Sequence, residues 1–356
     1  MKPADKPVTA EVSLGTVAHA IIGSTFQRAD RFREAILHAD PKRLDPEDIH
    51  QMRVSLRQLR SALQLFRPHL RLPKAAQEPV VKALAQCLGA VRDLDILQDH
   101  LTTHYLPALP PAEQRHLQKM MRQWERQRTR SLDTLYHRLQ SDRYRHFQKA
   151  YRTWLKSPRF STVPSAYATN PAQLSFVFLA PDIVLTRLSQ WLQHPGWFVA
   201  TIAEGGLYTP TPELNLADLR AQEPEFHALR KCMKQLRYQL TLLSPFLGET
   251  TAARLTAIVT PLKEFQDILG HLQDLAIIRK LVEAFLQAKG LSPDRLQTAL
   301  QRLDQDYLAL WQHWQPIQAQ YLSPAFRFEL RQQVAGLGLE VGTLEVASLE
   351  VRSLEI

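Results

Sequence analysis

The chain has only two cysteines, Cys87 and Cys232, in 356 residues, with no CxxC pair and no metal-ligand neighbour beside either. That excludes a disulfide framework, suits a reducing compartment and leaves both thiols as expected small core residues. Glycine is scarce at 12 against 23 prolines, and runs of β-branched residues are rare. Leu, Gln, Ala and Arg dominate instead, side chains that lose little rotamer freedom in a helix. No apolar run reaches bilayer length. The longest, from Leu174 to Leu188, is broken by Pro181 and Asp182, and the N-terminal Val17 to Ile22 is too short for a secretory leader. These absences predict an all-α, soluble, cytoplasmic protein.

Charge is lopsided towards cations. Lys and Arg total 44 against 35 Asp and Glu, a formal +9. Such a balance speaks to association with a polyanion rather than to fold. Arginine makes up 31 of those 44 cations, and its planar fork suits phosphate oxygens better than a point charge does. Nucleic acid, an anionic membrane face and polyphosphate all remain open on charge alone.

The chain repeats itself. Residues 49–70 and 226–247 align without gaps, and nine of 22 positions are identical, where unrelated segments of this composition would share roughly two. A second pair follows: VVKALAQCLGAVRDLDILQD at 80–99 and PLKEFQDILGHLQDLAIIRK at 261–280, sharing Lys82/Lys263, the Leu-Gly pair and the Asp-Leu pair. We therefore read a duplication, residues 14–156 and 183–333, joined by a Pro-, Ser- and Thr-rich linker at 157–182. A glycine- and proline-bearing loop is expected at 194–222, and long helical stretches at 112–156 and 294–333. Residues 338–356, built on LEVGT-LEVAS-LEVRS-LEI, read as a low-complexity tail.

On a helix drawn at 100° per residue, His50, Arg53, Arg57 and Arg60 fall within about 80° of arc, while Met52, Leu56, Leu59, Leu63 and Phe66 form the apolar stripe. The cations thus border the buried face, whereas an ordinary solvated face would oppose it. His227, Arg230, Lys234 and Arg237 take the same angles in the second copy. Related by a pseudo-two-fold axis, the two stripes would face a shared channel. So many clustered cations repel unless anions fill the space, and Arg and Lys supply charge-assisted donors to phosphate oxygens. Lys82 and Lys263 are expected to point into the same space, with Arg126, Arg130 and Tyr238 as possible additions. Asp93 and Asp274 are expected to orient basic side chains. No metal site is expected, since neither histidine has a second His or Cys at i+4.

The strings HQMRVSLRQLRSALQLF, LGAVRDLDIL, HALRKCMKQLRYQL and LGHLQDLAII resemble the signature segments of the CHAD domain, the conserved-histidine α-helical domain, over roughly residues 14–333. The resemblance implies two four-helix-bundle-like units around a basic central cavity. It further implies non-enzymatic binding of inorganic polyphosphate and association with polyphosphate granules and their proteins, with no cofactor. By the same likeness, His50, Arg53, Arg57, Arg60, His227, Arg230, Lys234 and Arg237 would line the cavity. The second copy departs where Gln273 replaces Arg92, and the ExExK strand of a triphosphate-cleaving domain is not found. A polyphosphate or triphosphate hydrolase would need clustered carboxylates, for which Asp93, Asp95 and Asp274 are the candidates and Ala276 stands where Asp95 would repeat. A nucleic-acid-binding helical protein is the other alternative, though no groove-reading motif appears. Polyphosphate binding is expected to strengthen as pH falls through about 6.5, where histidine gains charge.

Overall fold

The computed structural model describes residues 12–40, 43–161 and 170–335, together with a short backbone pairing of 7–8 with 344–345. Eleven α-helices occur among the described residues: α1 (Leu14–His38), α2 (Pro46–Leu65), α3 (Glu78–His100), α4 (Pro111–Gln140), α5 (Asp142–Lys156), α6 (Phe176–Leu192), α7 (Leu216–Ala221), α8 (Glu223–Leu243), α9 (Glu249–Ala288), α10 (Gln297–Leu322) and α11 (Pro324–Ala335). The protein is mostly helical, as composition predicts. The greater part of the pentad tail lies outside the described residues; only Leu344–Glu345 is placed, antiparallel to Pro7–Val8.

Local chemistry sets the helix starts. The Asp45 carboxylate accepts from Glu47 N at 2.8 Å and Pro46 takes the first helical position, so α2 begins with an orphan amide capped and acids at its positive end. The arginine-rich stretch at 112–156 divides into two helices because Ser141 ends α4 and its hydroxyl caps α5 by accepting from Tyr144 N. A short π-helix, Leu101–Tyr105, follows α3.

One connected set of buried side chains runs from Leu14 to Val334, so the two sequence copies share a core. In the first, Phe26 stacks on Tyr151 with ring centroids 4.8 Å apart. In the second, Trp197 stacks between Trp314 and Tyr321 at 5.4 and 5.3 Å, and Gln318 Nε2 donates to the Trp197 and Val199 carbonyls. Between them, α2 packs on α8 and the Gln239 amide donates to Ser61 O. Glu113 on α4 is buried, yet both carboxylate oxygens are satisfied by the Thr298 and Ala299 amides at the start of α10. A carboxylate there also meets the positive end of a helix dipole.

The linker and loop readings need correction. Helix α6 begins at Phe176, inside the expected linker, with Pro181 in its second turn. Residues 174–176 are also tied to the start of α1, where Leu14 N donates to Leu174 O and Phe176 N to Val12 O. The expected loop at 194–222 holds a β-hairpin, Thr201–Glu204 paired with Leu207–Pro210, and the short α7. Gly205 and Gly206, at φ 58° and 80°, supply the two positive-φ residues its tight turn requires.

Candidate functional site

Helices α2 and α8 contribute most of the walls of a cavity of about 820 Å³, closed by residues of α3 and α9. From α2 come His50, Arg53, Arg57 and Arg60; from α8 come His227, Arg230, Lys231 and Lys234; Tyr238 also faces it. Six Lys or Arg side chains line this space against two carboxylates, Asp93 and Asp274. The arrangement follows from the wheel. Met52, Leu56 and Leu59 of α2 and Leu229, Met233 and Leu236 of α8 are at most 2% exposed, which pins the apolar stripes and turns the adjoining cations to the cavity.

The lining cations differ in how they are held. Arg53 Nη2 donates to Asp93 Oδ1 at 2.7 Å, and Arg60 pairs with Glu78. Arg57 and Lys234 have no ion-pair partner among the described residues. Burial pushes the Lys234 ammonium down to about 6, and Arg230, Arg57 and Arg53 push it the same way against Asp274. Burial likewise takes His227 down to about 4, helped by Lys231 and Arg230, and lowers His50 despite Glu47 nearby. His227 is therefore neutral near pH 6.5 in the unliganded protein, and His50 shifts in the same direction, against the expectation that histidine protonation centred there tunes the site. Asp274 moves upward through burial, opposed by Arg230. Arg230 Nε is a buried donor without a hydrogen-bond partner, a costly condition.

The Leu-Gly-x-x-x-Asp element has a physical reason. A Cβ on Gly89 would sit 3.6 Å from Arg53 Nη2, and one on Gly270 3.2 Å from Arg230 Nη2. Each guanidinium thus passes close over a glycine, with the aspartate four residues on beside it; Asp93 bonds Arg53, and the Asp274 charge acts on Arg230. Gly89→Ala is expected to stabilise the fold by about 0.5–1 kcal/mol through helix propensity. Gly270→Ala should melt below Gly89→Ala, because its methyl displaces Arg230. Equal melting temperatures for the two variants would reject the guanidinium-over-glycine account of the second copy.

The sequence matches the profile of the CHAD domain over residues 27–283. The chain belongs to the CHAD family. Solved structures share its fold, among them the following two. The CHAD domain from the plant Ricinus communis aligns with a TM-score of 0.55 and 20% identity, over 95% of this chain and 96% of that one. PptA from Streptomyces chartreusis aligns with a TM-score of 0.55 and 16% identity, over 90% of this chain and 99% of that one. No curated protein matches the sequence.

Within this CHAD fold, the remaining expected residues scatter. Arg237 turns from the cavity: its Nε donates to Gln266 Oε1 at 2.9 Å and its guanidinium lies 5.0 Å from the Tyr238 ring centre. Lys82 and Lys263 are exposed and do not line the cavity, since each stands on the outer side of its helix. Arg126 is exposed, and Arg130 borders a different groove. Both cysteines are half-buried rather than core. Sequence reasoning missed Lys231, Gln86 and Gln273 as lining residues. Lys231 aligns with Val54 in the other copy, so a search for repeated cations passes over it. Among the described residues no cluster of His, Cys, Asp and Glu could hold a metal ion, and no helix is long and apolar enough to cross a membrane.

Proposed function

We propose that the cavity between α2 and α8 binds inorganic polyphosphate and leaves it chemically unchanged. The observation that carries this reading is six Lys or Arg side chains facing one cavity against two carboxylates, with Arg57 and Lys234 in no ion pair among the described residues. A linear polyanion with one charge per repeating unit matches such a lining along its length, and guanidinium groups donate to its oxygens in pairs. The unpartnered Arg230 Nε fits the same ligand. Membership in the CHAD family agrees with it.

In this reading the two sequence copies form a duplicated pair around a central cavity, and a cytoplasmic protein is recruited to polyphosphate granules through it. Two of the three candidate carboxylates are taken up in ion pairing, Asp93 with Arg53 and Asp95 with Arg128, and Asp274 lies in the field of Arg230 and Lys234. Their placement suits side-chain positioning better than holding Mg²⁺ against phosphate.

Immobilised polyphosphate should retain the protein at salt concentrations where duplex DNA releases it. The logarithm of affinity should fall linearly with the logarithm of salt, as released counterions require. Incubation with polyphosphate and Mg²⁺ should liberate no free phosphate above background. Equal retention on DNA, or steady phosphate release, would overturn the proposal.

A further inference from the structure

A second groove, of about 410 Å³, lies between α3 and α4. Arg130, Ser131, Thr134 and Arg138 line it from α4, with Gln86 and Cys87 among the α3 residues opposite. At positions i, i+1, i+4 and i+8, the four α4 residues fall on one side of that helix. No Asp or Glu borders the groove. Neither the Arg130 nor the Arg138 guanidinium has a carboxylate or hydrogen-bond partner among the described residues. Arg128, on the other side of α4, is by contrast held by Asp95. An arginine that braces the helix pair and arginines left open to a groove are thus both present on one helix.

Gln86 borders this groove and the basic cavity alike. The crest of α3 between them is low, because Ala83 and Ala90 flank Gln86 on the groove side. Gln64 joins the cavity to another hollow, but Glu78 lines that one. A carboxylate at the wall disfavours a polyanion, whereas two open guanidinium groups with neighbouring hydroxyls favour it.

We propose that the α3–α4 groove is an outer subsite which takes the continuation of a polyphosphate chain leaving the cavity over Gln86. This rests on the cavity being the inner polyphosphate site. The groove then makes the protein favour long chains: a short oligophosphate fills the cavity alone, while a longer one also reaches Arg130 and Arg138. The Gln86 amide at the crossing donates to the passing oxygens.

The test compares tripolyphosphate with long-chain polyphosphate on the parent, on R130A/R138A and on K289A/R295A. The last pair removes the same charge from exposed positions that border neither space. R130A/R138A should lose roughly tenfold in affinity for the long chain, with a salt slope lower by about two, and keep its tripolyphosphate affinity. K289A/R295A should follow the parent on both. Cys87 offers an independent readout: in a Cys232→Ser background, long-chain polyphosphate should protect it from alkylation and tripolyphosphate should not. If R130A/R138A matches the parent on both ligands, or loses equally on both, the outer subsite is wrong while the inner one stands. If the parent binds neither ligand, the inner site and this inference fall together.

Discussion

Replacing Arg57 with Ala and Lys234 with Met in one chain is expected to weaken polyphosphate binding at least roughly a hundredfold, since each charge-assisted contact is worth ~1.5–3 kcal/mol. The same substitutions should stabilise the unliganded protein. Lys234 titrates at about 6 in the fold against 10.5 for an ordinary lysine. Between those values the unfolded chain holds a proton that the folded chain lacks, so parent stability climbs with pH across that window. The sign follows: the gain from removing the amine is full below about pH 6 and fades as pH approaches 10.5. At pH 7 it amounts to ~2–4 kcal/mol, less than the whole shift implies because the cavity opens to solvent. Thermal unfolding should therefore show the variant melting several degrees higher at pH 6–7 and converging on the parent in alkaline buffer. A variant that melts lower throughout, or that still binds polyphosphate as the parent does, would remove the central role given to these two side chains.

That pairing could be read from the sequence only in part. The wheel placed His50, Arg53, Arg57, His227, Arg230 and Lys234 beside the core stripes, and the structure gathers them at one cavity. Helical periodicity fixes the angle of a side chain, and a buried stripe fixes the helix rotation, so this much was legible. Arg237 shares the favourable angle but finds Gln266 on α9, a partner set by tertiary packing. Lys82 and Lys263 were placed by repeat alignment alone, which says that two positions correspond and nothing about which way they face.

Other elements were hidden for different reasons. The hairpin after α6 announces itself only by Gly205-Gly206 between two four-residue strands, and its strands expose Ile202, Leu207 and Tyr208 instead of alternating cleanly. The long-range cap of α10 by Glu113 joins residues some 185 positions apart, beyond any local pattern. Pro181 suggested a break where the structure has a helix, because a single proline in the second turn forfeits only one backbone donor. The conflict between burial and charge at Lys234 is likewise a tertiary property: it arises from burial of the amine, and then from Arg230 of α8 and Arg57 and Arg53 of α2 around it.

Polyphosphate binding near neutral pH should be accompanied by uptake of close to one proton. At pH 7 an amine that titrates at about 6 is mostly neutral in the unliganded cavity. Phosphate oxygens beside it favour the ammonium form and raise that value, so the liganded state holds the proton that the free state lacks. Affinity consequently increases as pH falls towards about 6 and levels off below it, where Lys234 is already charged in both states. His227, down at about 4, contributes only in more acidic solution, and a centre at 6.5 set by free histidine is not expected. Calorimetry in two buffers of different ionisation enthalpy reads the proton count directly. The observed heats should differ between buffers for the parent and coincide for Lys234→Met, while His227→Gln keeps the parent's buffer dependence. Coincident heats for the parent would mean that Lys234 is charged before the polyanion arrives, and the cavity would then be holding more uncompensated charge than its burial allows.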